Sequence, residues 1–180
     1  MIVKQLVVSS ILLAVAPASN ASKIAELTML ELDRSGVREM FDITHSSESK
    51  DWVWMNGSNG SIAMTSTMKS KISLGMMCFA NHGACTVIYG EYGSCSLGQK
   101  YPIKLITDLE TRIVSFTCAK SESGITTYAV KPKEVEDLLI YGSSLQAITG
   151  HSTRSPQTLS LSGSSRAITA AGEAIVQRKQ

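Results

Sequence analysis

Four cysteines, Cys78, Cys85, Cys95 and Cys118, crowd into the middle of a chain of 180 residues. Nothing else in the sequence limits the fold as strongly, because pairing them decides which segments lie side by side. Their state depends on compartment, since disulfides persist in exported proteins and thiols in the cytosol. The first residues, MIVKQLVVSSILLAVAPASNA, point to export. Lys4 supplies a positive start, Leu6 to Val15 a short apolar core, and Pro17 a break; Ser19 and Ala21 are the small residues that signal peptidase requires. Residues 1–21 therefore read as a bacterial signal peptide cut after Ala21, its apolar core being too short for a comfortable membrane span. The mature protein is expected in the periplasm or outside the cell, with no transmembrane segment after cleavage.

An even number of cysteines in an exported chain reads as two disulfides, and four cysteines allow three connectivities. Local chemistry favours one of them. Asn81, His82 and Gly83 suit a tight turn, and a hairpin centred there brings Cys78 and Cys85 opposite each other. Cys95 then pairs with Cys118 across the longer loop, which contributes on the order of 3 kcal/mol by chain-entropy reasoning.

The rest of the chain supports a β-rich domain around this staple. Residues 22–48 form an N-terminal helix or arm, with Ile24, Leu27 and Leu30, then Val37, Met40 and Phe41, at helical spacing around Gly36. Residues 49–180 form a single disulfide-stapled domain. Trp52 and Trp54 alternate on one strand, Asn56 to Gly60 turns the chain, and Ser61 to Met64 starts the return. Alternation recurs at Ile72, Leu74, Met76 and Cys78, at Cys85, Val87 and Tyr89, and at Val114, Phe116 and Cys118. Gly90 to Gly98 reads as a pinned loop, and Ile125 to Val130 as a strand. Pro132 opens a short helix that buries Val135, Leu138 and Leu139 and ends at Gly142. Leu145 to Ile148 and Leu159 to Leu161 are late strands. Ser164 or Ser165 caps a last helix with Ile168, Ala171 and Ile175 as its apolar stripe and Arg178 and Lys179 at its end. The expected fold is mainly β, an antiparallel sandwich or barrel with short peripheral helices.

Composition narrows function by exclusion. With 43% hydrophobic residues and a net charge of +2, the chain is neither disordered, nor a polybasic nucleic-acid binder, nor an acidic-tail protein. No nucleophile elbow, Walker loop, paired zinc motif or Rossmann fingerprint is present. The three histidines, His45, His82 and His151, sit in no local triad context, and Glu134 and Glu136 solvate a helix start. The chain therefore reads as a non-enzyme without a cofactor. Met76, Met77, His82 and the flanking Cys78 and Cys85, with Met64 and Met68 upstream, are ligand types that suit Cu(I). A disulfide between the two cysteines leaves only the thioethers and the imidazole. Trp52 and Trp54 either close one end of the β core or present a partner surface. Ser123-Gly124-Ile125-Thr126-Thr127-Tyr128 resembles the Ser-Gly-x-x-Tyr loop with which some periplasmic lysozyme inhibitors plug an active site. On that likeness Ser123, Gly124 and Tyr128 are candidate partner contacts.

The segments Glu136-Asp137-Leu138-Leu139-Ile140-Tyr141-Gly142-Ser143-Ser144-Leu145 and Leu159-Ser160-Leu161-Ser162-Gly163-Ser164-Ser165-Arg166-Ala167-Ile168 carry a wider resemblance. They are similar to the end of exported bacterial proteins of the invasion-associated locus B type, where a helix and glycine precede a strand and a Ser-Leu-x-Gly strand enters an Ala-containing helix. The Trp strand and the cysteine-bearing middle are broadly similar too, so that about half of the mature chain is covered. The cysteine spacing and the long N-terminal arm depart from the pattern. The resemblance implies a periplasmic or secreted β-rich protein with disulfides and a host-interaction or envelope role, and it transfers no catalytic residue. The expected activity is contact with a protein partner; the alternatives are an enzyme inhibitor or immunity-type protein and a copper-binding protein.

Overall fold

A computed structural model describes residues 23–34, 36–67, 72–122, 124–150 and 155–177. The signal-peptide reading, Met68, Ser123, His151, Arg178 and Lys179 lie outside the described residues.

The chain opens with α1 (Lys23–Arg34) and α2 (Val37–Phe41). Five strands follow: β1 (Ile43–Ser49), β2 (Trp52–Gly57), β3 (Gly60–Ser66), β4 (Ser73–Phe79) and β5 (Ala84–Tyr92). Three more are β6 (Lys100–Thr107), β7 (Thr111–Glu122) and β8 (Ile125–Val130). A 3-10 turn (Pro132–Glu134) leads into α3 (Glu136–Tyr141), and β9 (Ser144–Ile148), β10 (Thr158–Ser160) and α4 (Ser164–Val176) complete the order. All ten strands join one antiparallel sheet in the order β1-β2-β3-β4-β5-β8-β7-β6-β9-β10. The sheet coils without closing into a barrel. Its ends are latched instead: the Trp52 indole N–H donates to the Ser160 carbonyl at 3.0 Å, Asp51 N–H to the Ser162 carbonyl at 3.2 Å, and the Ser160 hydroxyl to Asp51 at 2.6 Å.

Strand parity sorts the core into two layers. Even-numbered residues of β2 and β4, such as Trp52, Leu74, Met76 and Cys78, face inward with Tyr89, Ile103, Phe116 and Tyr128. There they meet α3 and α4 through Leu138, Leu139, Ala167, Ile168, Ala171 and Ile175. Alanines along α4 let its backbone approach β3 closely enough for the Ser61 hydroxyl to reach the Ala171 carbonyl at 2.6 Å. Val53, Met55, Ile62 and Met64 point the other way, against Ala25, Leu32, Val37 and Phe41 of α1 and α2. Both faces of β3 are therefore covered, and all seven of its residues are buried. Each large side chain so removed from water stabilises the fold by roughly 1.5–3 kcal/mol.

Several expectations need correction. The N-terminal segment takes the helical alternative, α1 and α2 forming an outer layer, and β1, which the periodicity did not show, extends the sheet. The buried face of α1 is Ala25, Thr28 and Leu32, while Leu30 is exposed, because Thr28 is drawn in by the Ser66 hydroxyl at 2.8 Å. Neither Ser164 nor Ser165 caps α4. Gly163 stands at that position with φ of 94°, and the Ser164 hydroxyl is spent on the Leu139 and Leu161 carbonyls. A Cβ on Gly163 would lie 1.8 Å from the Ser49 carbonyl oxygen, so only glycine lets α4 start against β1.

Candidate functional site

The disulfides follow the favoured pairing. Cys78 faces Cys85 directly in the β4–β5 ladder and is bonded to it, with Gly83 at φ of 57° completing the turn. Cys95 is bonded to Cys118 and ties the loop after β5 to β7. The same loop is held by Gly98 N–H to the Cys118 carbonyl at 2.9 Å and Cys118 N–H to the Gln99 carbonyl at 2.8 Å. With both thiol pairs oxidised, the proposed soft-metal set loses its thiolates. The remaining members diverge: Met76 faces the inner core, Met77 packs with the outer layer, and His82 is exposed at the turn. Adjacent strand residues cannot hold one ion from opposite faces.

The aromatic candidates are mostly structural. Trp52 is fully buried with its indole N–H bonded to Ser160. Trp54 is partly buried, its ring centroid 5.2 Å from that of His45 in an edge-to-face arrangement, and its indole N–H has no partner among the described residues. Gly124, at φ of 74°, makes the exposed β7–β8 turn. Tyr128 does not join it on the surface: its ring is fully buried between Tyr89 and Tyr101, at centroid distances of 6.4 and 5.8 Å. Three residues, not two, separate Gly124 from Tyr128, so the tyrosine falls on the inward parity of β8. The side chain on which the inhibitor reading depends is therefore inside the protein.

Behind Tyr128 lies a polar cluster that sequence reasoning missed. Glu91 is only 2% exposed. It accepts hydrogen bonds from the Tyr89 hydroxyl at 3.2 Å and from the Thr149 hydroxyl. Burial, with the nearby Glu91 charge, pushes the Tyr89 phenol well above the usual range and the Tyr128 phenol up to about 12. Both phenols stay protonated at neutral pH and act as donors or fillers rather than bases. The signal for Glu91 was the parity of Cys85, Val87 and Tyr89 continuing one step further; β5 in fact runs to Tyr92, into the stretch read as a loop.

On the opposite side of the sheet, the outer face of β6, β7 and β8 holds a groove of about 590 Å³. Here Lys100, Pro102, Lys104, Ile113 and Ser115 are exposed, with Ile113 at 70%. Sheet register places Lys100 opposite Thr117 and Lys104 opposite Ile113, and Thr117 opposite Ala129 on β8. Lys131 and Lys133, on the turn after β8, form the far wall. That wall is fastened by Arg112, which donates to both Asp137 oxygens at 2.9 and 2.7 Å and to the Glu134 carbonyl at 3.0 Å, and pairs with Glu110. Arg112 holds the Asp137 carboxyl below the usual carboxylate range, and the two carboxylates raise the guanidinium in turn. Four cations thus line a groove containing one acidic side chain, Glu134.

No protein-family model matches the sequence, and no curated protein matches it. Solved structures do. The chain is similar in fold to invasion associated protein B from Bartonella henselae. The TM-score is 0.55 at 12% identity, with 76% of this chain and 100% of that chain covered. The likeness to invasion associated protein B is one of fold. Two disulfides and an invasion-associated-protein-B-like fold are consistent with an extracellular or periplasmic location. Among the described residues no helix is long and apolar enough to cross a membrane.

Proposed function

We propose that this is an exported, non-enzymatic protein that acts by protein–protein contact in the bacterial periplasm or outside the cell, after cleavage behind Ala21. The observation that carries the reading is the uneven covering of the sheet. α1 and α2 protect the outer face of β2 and β3, while the outer face of β6, β7 and β8 carries a 70% exposed isoleucine among the residues that line a groove. Exposed apolar residues within a polar rim are how contact surfaces are built. The disulfides and the fold similarity to an invasion-associated protein support an envelope or host-facing setting.

The reading is tested in cells of the source bacterium with a photo-crosslinking amino acid at Ile113, and at Leu30 on α1 as the control. A discrete adduct at Ile113 and none at Leu30 is the expected result. Intact mass of the same material should equal residues 22–180 less four hydrogens. Free thiols, an uncleaved N-terminus, or no adduct specific to Ile113 would each count against it.

A further inference from the structure

We infer that the groove on the outer face of β6, β7 and β8 takes an acidic, extended peptide segment of a partner, with an apolar side chain seated on Ile113. The inference rests on the contact reading above and adds the chemistry of the partner. Lys100, Lys131 and Lys133 line the groove with Arg112, against the single carboxylate of Glu134. Lys104 stands beside Ile113 in the ladder. Arg112 is already committed to Asp137, Glu110 and the Glu134 carbonyl, so the lysines carry the recognition.

The arrangement discriminates among anions. A small anion such as phosphate needs donors converging on one point. These cations instead stand apart, Lys100 and Lys104 four residues from each other on β6 and Lys131 and Lys133 on the turn after β8. Carboxylates strung along a chain, with an apolar residue between them, match that spacing. A flat anionic membrane matches less well, because Ile113 shares the lining of a groove with Lys131, Lys133 and Glu134. One isoleucine also offers little area for insertion into a bilayer. Exposed lysines are mobile, strongly hydrated point charges, suited to steering and rim contact around a central anchor.

The test uses the purified oxidised mature protein and fluorescence anisotropy of labelled acetyl-Glu-Glu-Leu-Glu-Glu-amide. Saturable binding is expected, weakening as salt rises from about 50 to 200 mM as screening strengthens. The peptide with glutamine in place of glutamate should not bind. Lys131→Gln combined with Lys133→Gln should weaken binding by about tenfold, and Ile113→Ser by about threefold. All three positions are exposed, so near-UV circular dichroism should not change. Absent binding, equal binding by the variants, or displacement of the peptide by micromolar inorganic phosphate would overturn the inference. So would capture by phosphatidylglycerol vesicles without peptide binding. An Ile113 crosslink in cells without peptide binding removes the acidic chemistry and leaves the contact reading standing, whereas loss of the crosslink removes the contact reading itself.

Discussion

Tyr128 shows how much rests on which way one side chain points. In the loop reading it reaches outward to a partner; in the fold it fills the centre of the inner core with its hydroxyl unpartnered among the described residues. Removing that hydroxyl removes an unsatisfied buried polar group, so Tyr128→Phe should leave stability unchanged or raise it by about 1 kcal/mol. Tyr128→Ala should cost about 3–5 kcal/mol through the cavity it leaves. Urea unfolding of both variants checks the pair, and a Tyr128→Ala protein as stable as the parent would return the residue to the surface. Gly163 is a second single-residue determinant. Gly163→Ala meets both the left-handed backbone and the Ser49 carbonyl, so a thermal melt should show a large fall in midpoint.

At the scale of elements, alternating strands were readable where their apolar residues recur. β2 with β3, β4 with β5, β7, β8 and both late strands fall where periodicity puts them. β6 escaped notice because Pro102 sits in its middle, and a proline there argues against a central strand. The topology resolves the conflict. Pro102 pairs only with β7, while β9 joins β6 from Lys104 onward, so the missing N–H faces an open edge. The groove was equally hidden, because Lys100, Ile113 and Lys131 are distant in sequence and only sheet register brings them together.

Two predictions belong at this scale. The Cys95–Cys118 bond closes a longer loop than Cys78–Cys85, with separations of 23 and 7 residues. Replacing Cys95 and Cys118 by serine should cost about 3 kcal/mol, and replacing Cys78 and Cys85 about 1 kcal/mol less, by loop-closure entropy. Equal or reversed losses in chemical denaturation would rule that account out. The Arg112–Asp137 clamp joins β7 to α3, and Asp137 has a lowered carboxyl pKa. A carboxylate whose folded pKa is depressed contributes stability above its unfolded pKa, near 3.9, and loses it as pH falls through the folded value. The pair is exposed, so the contribution is small and screened by salt. Asp137→Asn should narrow the stability difference from the parent as pH drops below about 4, and a constant difference across that range would exclude the clamp as its source.

At the scale of the whole molecule, protection is uneven by design of the layers. β3 lies between α1 on one side and α4 on the other, while β1 and β10 are the sheet's edges. Native-state hydrogen exchange should therefore be slowest in β3 and fastest in β1 and β10. A uniform profile would mean that the outer helices do not pack as described. The same unevenness separates what holds the molecule together from what it presents: among the described residues, α1 and α2 cover β2 and β3 and leave Ile113 on β7 exposed.

The latch between Asp51, Trp52 and residues 160–162 has a consequence in time. Its hydrogen bonds join groups 108 to 111 residues apart, so they cannot form until nearly all of the chain is available. Contacts of such separation slow folding, because the loop must close before the contact rewards it. The order follows the direction in which a chain is made, N-terminus first. Trp52 has no carbonyl to bond and α4 is not there to fill the interior until the last segment has been added, so the sheet cannot be latched on a chain that is still incomplete.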